Sequence, residues 1–148
     1  MSFFCDQHYG RTPEGSGDPL RYGKILMAIA GADGEVAPKE MEALKNIARG
    51  LGTPDHVIDE VGEFDYKNAN LEKLIDGETP SRALLYDAMV ASTADGTYSE
   101  KERAAAARAA ALLGVDSSVL AAIEGLLQVE ISLRKARADL LFPEGMRA

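Results

Sequence analysis

Four acidic side chains occur in two copies of one short pattern, at a spacing that suits a divalent cation. The pattern reads ADGEVAPKE at 32–40 and ADGTYSEKE at 94–102. An Asp at a helix end, a Gly turn and a Glu in the first turn of the next helix can bring two carboxylates near one point. Hard cations such as Ca²⁺ bind several oxygen ligands. The candidate metal ligands are Asp33, Glu40, Asp95 and Glu102, and the candidate cofactor is a divalent cation (Ca²⁺, Zn²⁺ or Mn²⁺).

This spacing equals the second half of an EF-hand loop, with Asp fifth, Gly sixth and Glu twelfth. The first half is absent, because the first and third places hold Ile29 and Gly31 in one copy. A standard EF-hand is therefore excluded, and a metal would need waters or ligands from elsewhere in the chain. Val36 and Tyr98 occupy the place where paired EF-hands form a short backbone bridge, which predicts two adjacent, antiparallel loops.

A purely structural interpretation of the same acids stands beside the metal site. Ser99 and Glu102 have the spacing of a capping box, which by itself would explain Glu102. Acids in a first helical turn also favour the helix dipole, and Asp-Gly is a common helix end. Ala37 has no capping oxygen, so this interpretation leaves Glu40 unexplained. Metal binding and capping both remain open at this stage.

An internal repeat is the strongest pattern in the chain. Asp33 and Asp95 lie 62 residues apart, and this single offset aligns two long stretches without a gap. The offset pairs glycines, acids and core positions: Met27 with Met89, Gly34 with Gly96, Glu40 with Glu102, Leu51 with Leu113, and Gly52 with Gly114. The repeat units span about 20–64 and 82–126. Two similar helical units related by a pseudo-twofold axis are predicted, each burying the apolar face of the other.

The elements that position these acids are helices. Apolar residues recur at helical spacing between Asp18-Pro19, which is a good helix start, and the last helix, which runs to about Leu141. No segment shows the sustained alternation of a strand. The sequence predicts an all-α fold of six or seven helices, with a single domain at 18–148. Residues 1–17 mix Gly, Pro, Ser and charge, which predicts a flexible leader.

The charge, the cysteine count and the missing catalytic motifs exclude several classes of function. The net charge of the 148-residue chain is −8, so it would repel a nucleic-acid backbone. Cys5 is the only cysteine and the start of the chain lacks a signal-peptide pattern, so we expect a cytoplasmic protein. Cys5 and His8 have a ligand-like spacing that we interpret as chance within the leader. No catalytic Ser/His/Asp or Cys/His set and no phosphate-binding glycine loop occurs, so no enzyme is predicted and no catalytic residue is assigned.

The two ADG…E elements, with the helix stripes around them and the Glu63-Phe64-Asp65-Tyr66 stretch between them, resemble the bacterial tellurite-resistance TerB family. The similarity covers roughly residues 20 to 126. It implies an all-helical cytoplasmic protein, at most peripherally associated with a membrane and linked to stress and metal-oxyanion resistance. It also implies that the matching acids, Asp33, Glu40, Asp95 and Glu102, are the suspected divalent-metal ligands. The leader and the end of the last helix depart from the family pattern.

Three functions follow as hypotheses. The first is a TerB-like module that binds a divalent metal and acts by interaction in a stress response. The second is a structural helical adaptor whose acids cap helices. The third, rated lowest, is a metal-dependent hydrolase. The partner is expected to be another protein or a second copy of the chain, held by the long last helix.

Overall fold

The apolar stripes fold into α-helices in the computed structural model, which describes residues 3–11, 17–77, 79–96 and 98–144. These residues contain no β-strand and form eight α-helices with one 3₁₀ turn at Tyr66–Asn68. The all-α prediction is confirmed. The helices are α1 (Phe3–Tyr9), α2 (Pro19–Ala30), α3 (Pro38–Gly50), α4 (Asp55–Gly62), α5 (Leu71–Leu74), α6 (Ser81–Ser92), α7 (Glu100–Leu113) and α8 (Ser117–Leu141).

Local sequence signals set the helix boundaries. Asp18 caps α2, since its side chain accepts a hydrogen bond from the Leu20 N–H at 3.0 Å, and Pro19 fits the first turn. Gly114 ends α7 with a φ of +73°, in the left-handed region that favours glycine. Helix α2 ends at Ala30, slightly before the predicted Asp33-Gly34.

Two similar units form the body of the molecule. Unit 1 comprises α2, α3 and α4, and unit 2 comprises α6, α7 and α8. In each unit the first helix packs against the second and the third, and the two first helices, α2 and α6, pack against each other. The contact of α3 with α6 has its counterpart in the contact of α2 with α7. The predicted pseudo-twofold pair of units is therefore present.

The N-terminal segment is the main departure from the prediction. A flexible leader is predicted for residues 1–17, but Phe3–Tyr9 form helix α1, which raises the helix count above the predicted six or seven. Cys5 is buried, and the Phe4 ring packs so closely on Gly50 that a Cβ there would clash with the ring. The flexible-leader prediction is wrong for this stretch, because contacts with distant helices hold a segment too short to be stable alone. Residues 12–16 of the predicted leader lie outside the described residues.

The last helix leaves the body of the molecule. Helix α8 ends at Leu141, as predicted, but its buried residues are Leu120 and Leu127. Every residue from 131 to 144 is exposed. None of the described helices is both long enough and apolar enough to span a membrane.

Candidate functional site

Two of the predicted acids lie inside the protein. Glu40 is in the first turn of α3 and Glu102 is in the first turn of α7, and they are only 2% and 1% exposed. Carboxylates are seldom buried to this extent without a partner. Their surroundings therefore decide what the pair can do.

One oxygen of each carboxyl is held by the backbone at the start of its own helix. Oε1 of Glu40 accepts a hydrogen bond from the Ala37 N–H at 2.9 Å, and Oε1 of Glu102 accepts one from the Ser99 N–H at 3.0 Å. Ser99 completes its capping box, since its hydroxyl accepts from the Glu102 N–H at 3.1 Å. The expectation that Glu40 has no capping role is wrong. The Glu half of a capping box needs only a backbone N–H, which Ala37 supplies as well as Ser99 does.

The other oxygen of each carboxyl has no such support. Oε2 of Glu40 and Oε2 of Glu102 are buried and meet no hydrogen-bond donor among the described residues. The two carboxyls lie within hydrogen-bonding reach of each other, and such a bond needs a proton on one of them.

Burial and the adjacent Glu102 carboxyl raise the pKa of Glu40 to about 8, and the charge of Asp95 acts in the same direction. The Ala37 N–H opposes this rise by stabilising the charged form. The pair therefore holds an extra proton at neutral pH unless a cation replaces it.

The contact between these two residues locates the symmetry axis. Glu40 and Glu102 are equivalent under the 62-residue offset. Equivalent residues of two units can touch each other only near the axis that relates the units. The acid pair therefore lies at the centre of the pseudo-twofold arrangement, between the first turns of α3 and α7.

The two aspartates are placed differently. Both Asp33 and Asp95 are exposed. Oδ1 of Asp33 accepts a hydrogen bond from the Glu35 N–H at 3.3 Å, which closes the loop after α2. Asp95 lies close enough to Glu40 to affect its pKa. The structure therefore brings Glu40 and Glu102 together, with Asp95 nearby, and turns Asp33 towards its own loop.

Within the described ranges, no group of three or more His, Cys, Asp or Glu side chains has a geometry that could hold a metal ion. Binding by the four acids thus stays a prediction. The predicted backbone bridge between Val36 and Tyr98 is not formed, because the Val36 N–H donates instead to the Tyr66 hydroxyl at 3.1 Å. The Tyr98 ring packs against the guanidinium of Arg103.

A third buried carboxylate, Asp87, was not predicted from the sequence. Asp87 on α6 is fully buried, and its Oδ1 lies 2.6 Å from Nε2 of His8. Its Oδ2 accepts hydrogen bonds from the hydroxyls of Tyr9 and Tyr22, both at 2.6 Å. His8 and Tyr9 belong to α1, so one carboxylate fastens the N-terminal helix to the body.

A signal for Asp87 was present in the sequence. Asp87 lies three residues after Leu84 and next to Ala88, on the apolar face of its helix, where an acid is unusual. The 62-residue offset pairs it with Ile25, which is fully buried in α2. An acid at the position of a core isoleucine indicates a buried hydrogen-bond partner. His8 is one such partner of Asp87, which gives His8 a structural role.

Comparison of structures, but not of sequences, relates this chain to a known protein. The described chain is an all-helical protein with two repeated helix–loop–helix units and a buried acid pair between them. No protein-family model matches the sequence, and no curated protein sequence matches it.

A solved structure is similar over almost the whole chain. It is the crystal structure of a tellurite resistance protein from Nostoc punctiforme, with 27% identity and a TM-score of 0.80. The match covers 99% of this chain and 94% of the other. The resemblance to the tellurite-resistance TerB-like family that the sequence predicts is therefore confirmed.

Proposed function

We propose that the chain is a cytoplasmic TerB-like module of tellurite resistance whose Glu40–Glu102 pair binds a divalent cation. The observation that carries the proposal is the pair of buried Oε2 atoms, one from each unit, that meet no donor among the described residues. The similarity to a tellurite resistance protein supplies the biological context. No catalytic step is part of the proposal.

The electrostatics of the pair support a cation. Two buried carboxylates that are both ionised repel each other, and burial adds a desolvation cost. A divalent cation removes both penalties and supplies the partner that the Oε2 atoms lack. Water and nearby Asp95 are the remaining sources of oxygen ligands. Because the cation displaces a proton from the pair, binding should strengthen as the pH rises.

Capping is the competing function, and specific hydrogen bonds favour it. Both Oε1 atoms accept backbone N–H bonds that hold the starts of α3 and α7. In this alternative the pair shares one proton, no metal binds, and the chain acts as a helical adaptor.

Thermal unfolding with added Ca²⁺, Mg²⁺, Mn²⁺ or Zn²⁺ separates the two functions. With few protein oxygens per site, the Kd should be weak, on the order of 10⁻⁴–10⁻³ M. An ion present at about 100 times its Kd stabilises the folded state by about 2.7 kcal/mol, which raises the melting temperature. The rise should be larger at pH 8.5 than at pH 6, because protons compete for the pair.

Matched variants assign the effect to the pair. Glu40→Gln and Glu102→Gln should each remove the metal-dependent rise, because an amide keeps an oxygen for the cap but is a poor ligand. Glu100→Gln is the control: Glu100 is exposed in the same turn of α7, and the change removes the same charge. Melting curves that no ion shifts at about 10 mM would favour capping alone, since that concentration exceeds the expected Kd.

A further inference from the structure

The end of α8 carries apolar side chains that nothing in the described chain covers. Leu126, Leu133 and Leu140 are 56%, 57% and 81% exposed. Exposed leucines are ordinary when they are scattered singly, but several on one helix indicate an interaction surface. These residues therefore mark a candidate interaction surface on the described part of the chain.

The exposed residues form one stripe. Leu126, Val129, Leu133, Ala136 and Leu140 follow one another at intervals of three and four residues and are all exposed; we call this set the α8 stripe. It is turned away from Leu120 and Leu127, which pack into the core. Alternation of three and four is the spacing at which two helices pack side by side in a coiled coil. The α8 stripe extends for about 21 Å along the helix.

The charges along α8 select the orientation of a partner helix. Glu130 and Arg137 lie seven residues apart along one edge of the α8 stripe, whereas Glu124 is already paired with Arg103 on α7. The Glu130 carboxylate also accepts a hydrogen bond from the Tyr86 hydroxyl at 3.0 Å. Asp139 in the C-terminal half is already paired with Lys135 at 3.0 Å. A second copy of α8 in antiparallel orientation places Arg137 of each copy beside Glu130 of the other. A parallel copy would place identical, like-charged residues of the two helices at the same level, which is unfavourable.

We propose that the α8 stripe binds the same stripe of a second copy of this chain, with the two helices antiparallel. The contact is isologous, because each copy presents the same stripe and the same charge order to the other. It involves two heptads only, so it is smaller than a standard stable interface and the dimer is weak. The two bodies lie at opposite ends of the helix pair, which keeps the strongly acidic bodies apart.

Analytical ultracentrifugation of the full chain over a wide concentration range tests the proposal. The wild-type protein should pass from monomer to dimer as its concentration rises. Leu133→Glu places a charge in the centre of the α8 stripe and appears twice in the dimer, so it should leave only monomer. Leu133 is exposed in the monomer, so circular dichroism should show unchanged helix content.

Ala138→Glu is the matched control, because Ala138 is also exposed on α8 but lies off the α8 stripe, and the change adds the same charge. This variant should dimerise as the wild-type chain does. The proposal is wrong if the wild-type protein stays monomeric at the highest concentration. It is also wrong if Leu133→Glu dimerises normally, or if both variants lose the dimer equally.

Discussion

Units 1 and 2 hold the same glutamate in different settings. In unit 2, Ser99 and Glu102 form both halves of a capping box, whereas in unit 1 only the Glu half exists because the cap residue is Ala37. Both glutamates nevertheless accept the backbone bond and lie against each other across the axis. The feature common to the units is the buried carboxyl, and the residue that caps the helix is free to differ.

The units differ more strongly at the position of Ile25 and Asp87. In unit 1 this position is part of the apolar core, and in unit 2 it is a buried carboxylate with three partners. Helix α1 therefore packs on one side of the molecule without a counterpart among the described helices. Helix α1 and the end of α8 both lie outside the two stretches that the 62-residue offset relates.

The largest expected effect is at Asp87. Asp87→Ala leaves His8 and two partly buried tyrosine hydroxyls without their acceptor, so we expect a loss of about 3–5 kcal/mol in the free energy of unfolding. Helix α1 should also separate from the body. Denaturant titration measures the first effect, and the reaction rate of the Cys5 thiol with a thiol reagent measures the second, because Cys5 is buried on α1.

Asp139→Ala is the control for Asp87→Ala, since Asp139 is exposed and its pair with Lys135 is a surface pair worth little. If Asp87→Ala proves too unstable to purify, Asp87→Asn retains one acceptor oxygen and should show the same changes to a smaller degree. A variant as stable as the control, with Cys5 still protected, would contradict the anchoring role of Asp87.

The next largest effect is the contribution of the Glu40–Glu102 pair to the pH dependence of folding stability. The pKa of Glu40 rises on folding from an ordinary 4.5 to about 8, so the folded state binds the extra proton between these values. This contribution to stability is complete below about pH 4.5 and is lost as the pH rises through about 8. Glu40→Gln cannot ionise, so its stability should lack this decline.

With chelator present, Glu40→Gln should therefore be more stable than the wild-type chain at pH 9 by about 1–3 kcal/mol, and close to it at pH 5. Urea titrations across this pH range make the measurement. Glu100→Gln should keep the wild-type decline, because Glu100 is exposed. Parallel stability profiles for Glu40→Gln and the wild-type chain would refute the shared proton.

The smallest effect comes from exchanging the caps. Ser99→Ala gives unit 2 the cap of unit 1 and should lower the free energy of unfolding by about 1 kcal/mol. Ala37→Ser gives unit 1 the cap of unit 2 and should stabilise it by a similar or smaller amount. The two backbones already match, with φ and ψ of −64° and 156° at Ala37 and of −71° and 159° at Ser99.

Thermal unfolding of both cap variants provides the comparison. Ser118→Ala, an exposed change within α8, should have little effect. Equal melting temperatures for Ser99→Ala and the wild-type chain would show that the hydroxyl of Ser99 adds nothing to the backbone bond of Glu102.

Much of the fold was predictable because each long helix has its own signals. Apolar stripes of three or more turns, bounded by residues such as Pro19 and Gly114, indicate α2, α3, α6, α7 and α8 from local sequence. Helix α1 has only seven residues, and its stability depends on Asp87, which is far away in sequence. Local patterns do not reveal such a contact.

The site was predictable in part for a similar reason. The repeat identifies Glu40 and Glu102 as equivalent, but the sequence does not show that they are buried or that they meet. The capping-box motif does not predict the bond of Glu40, because the motif requires a cap side chain whereas the bond needs only the Glu and the Ala37 N–H. Asp87 lay on an apolar helix face, which is a usable signal when the equivalent position is isoleucine.

The covalent link between the two units has a genetic consequence. In a homodimer of one unit, every substitution would appear on both sides of the axis. In the fused chain, each position mutates alone, so Asp87 is present once and Ile25 keeps the apolar residue. A buried carboxylate and helix α1, which supplies two of its three hydrogen-bond partners, can therefore evolve on one side. The glutamates on the axis, by contrast, form their contact only when both copies are retained.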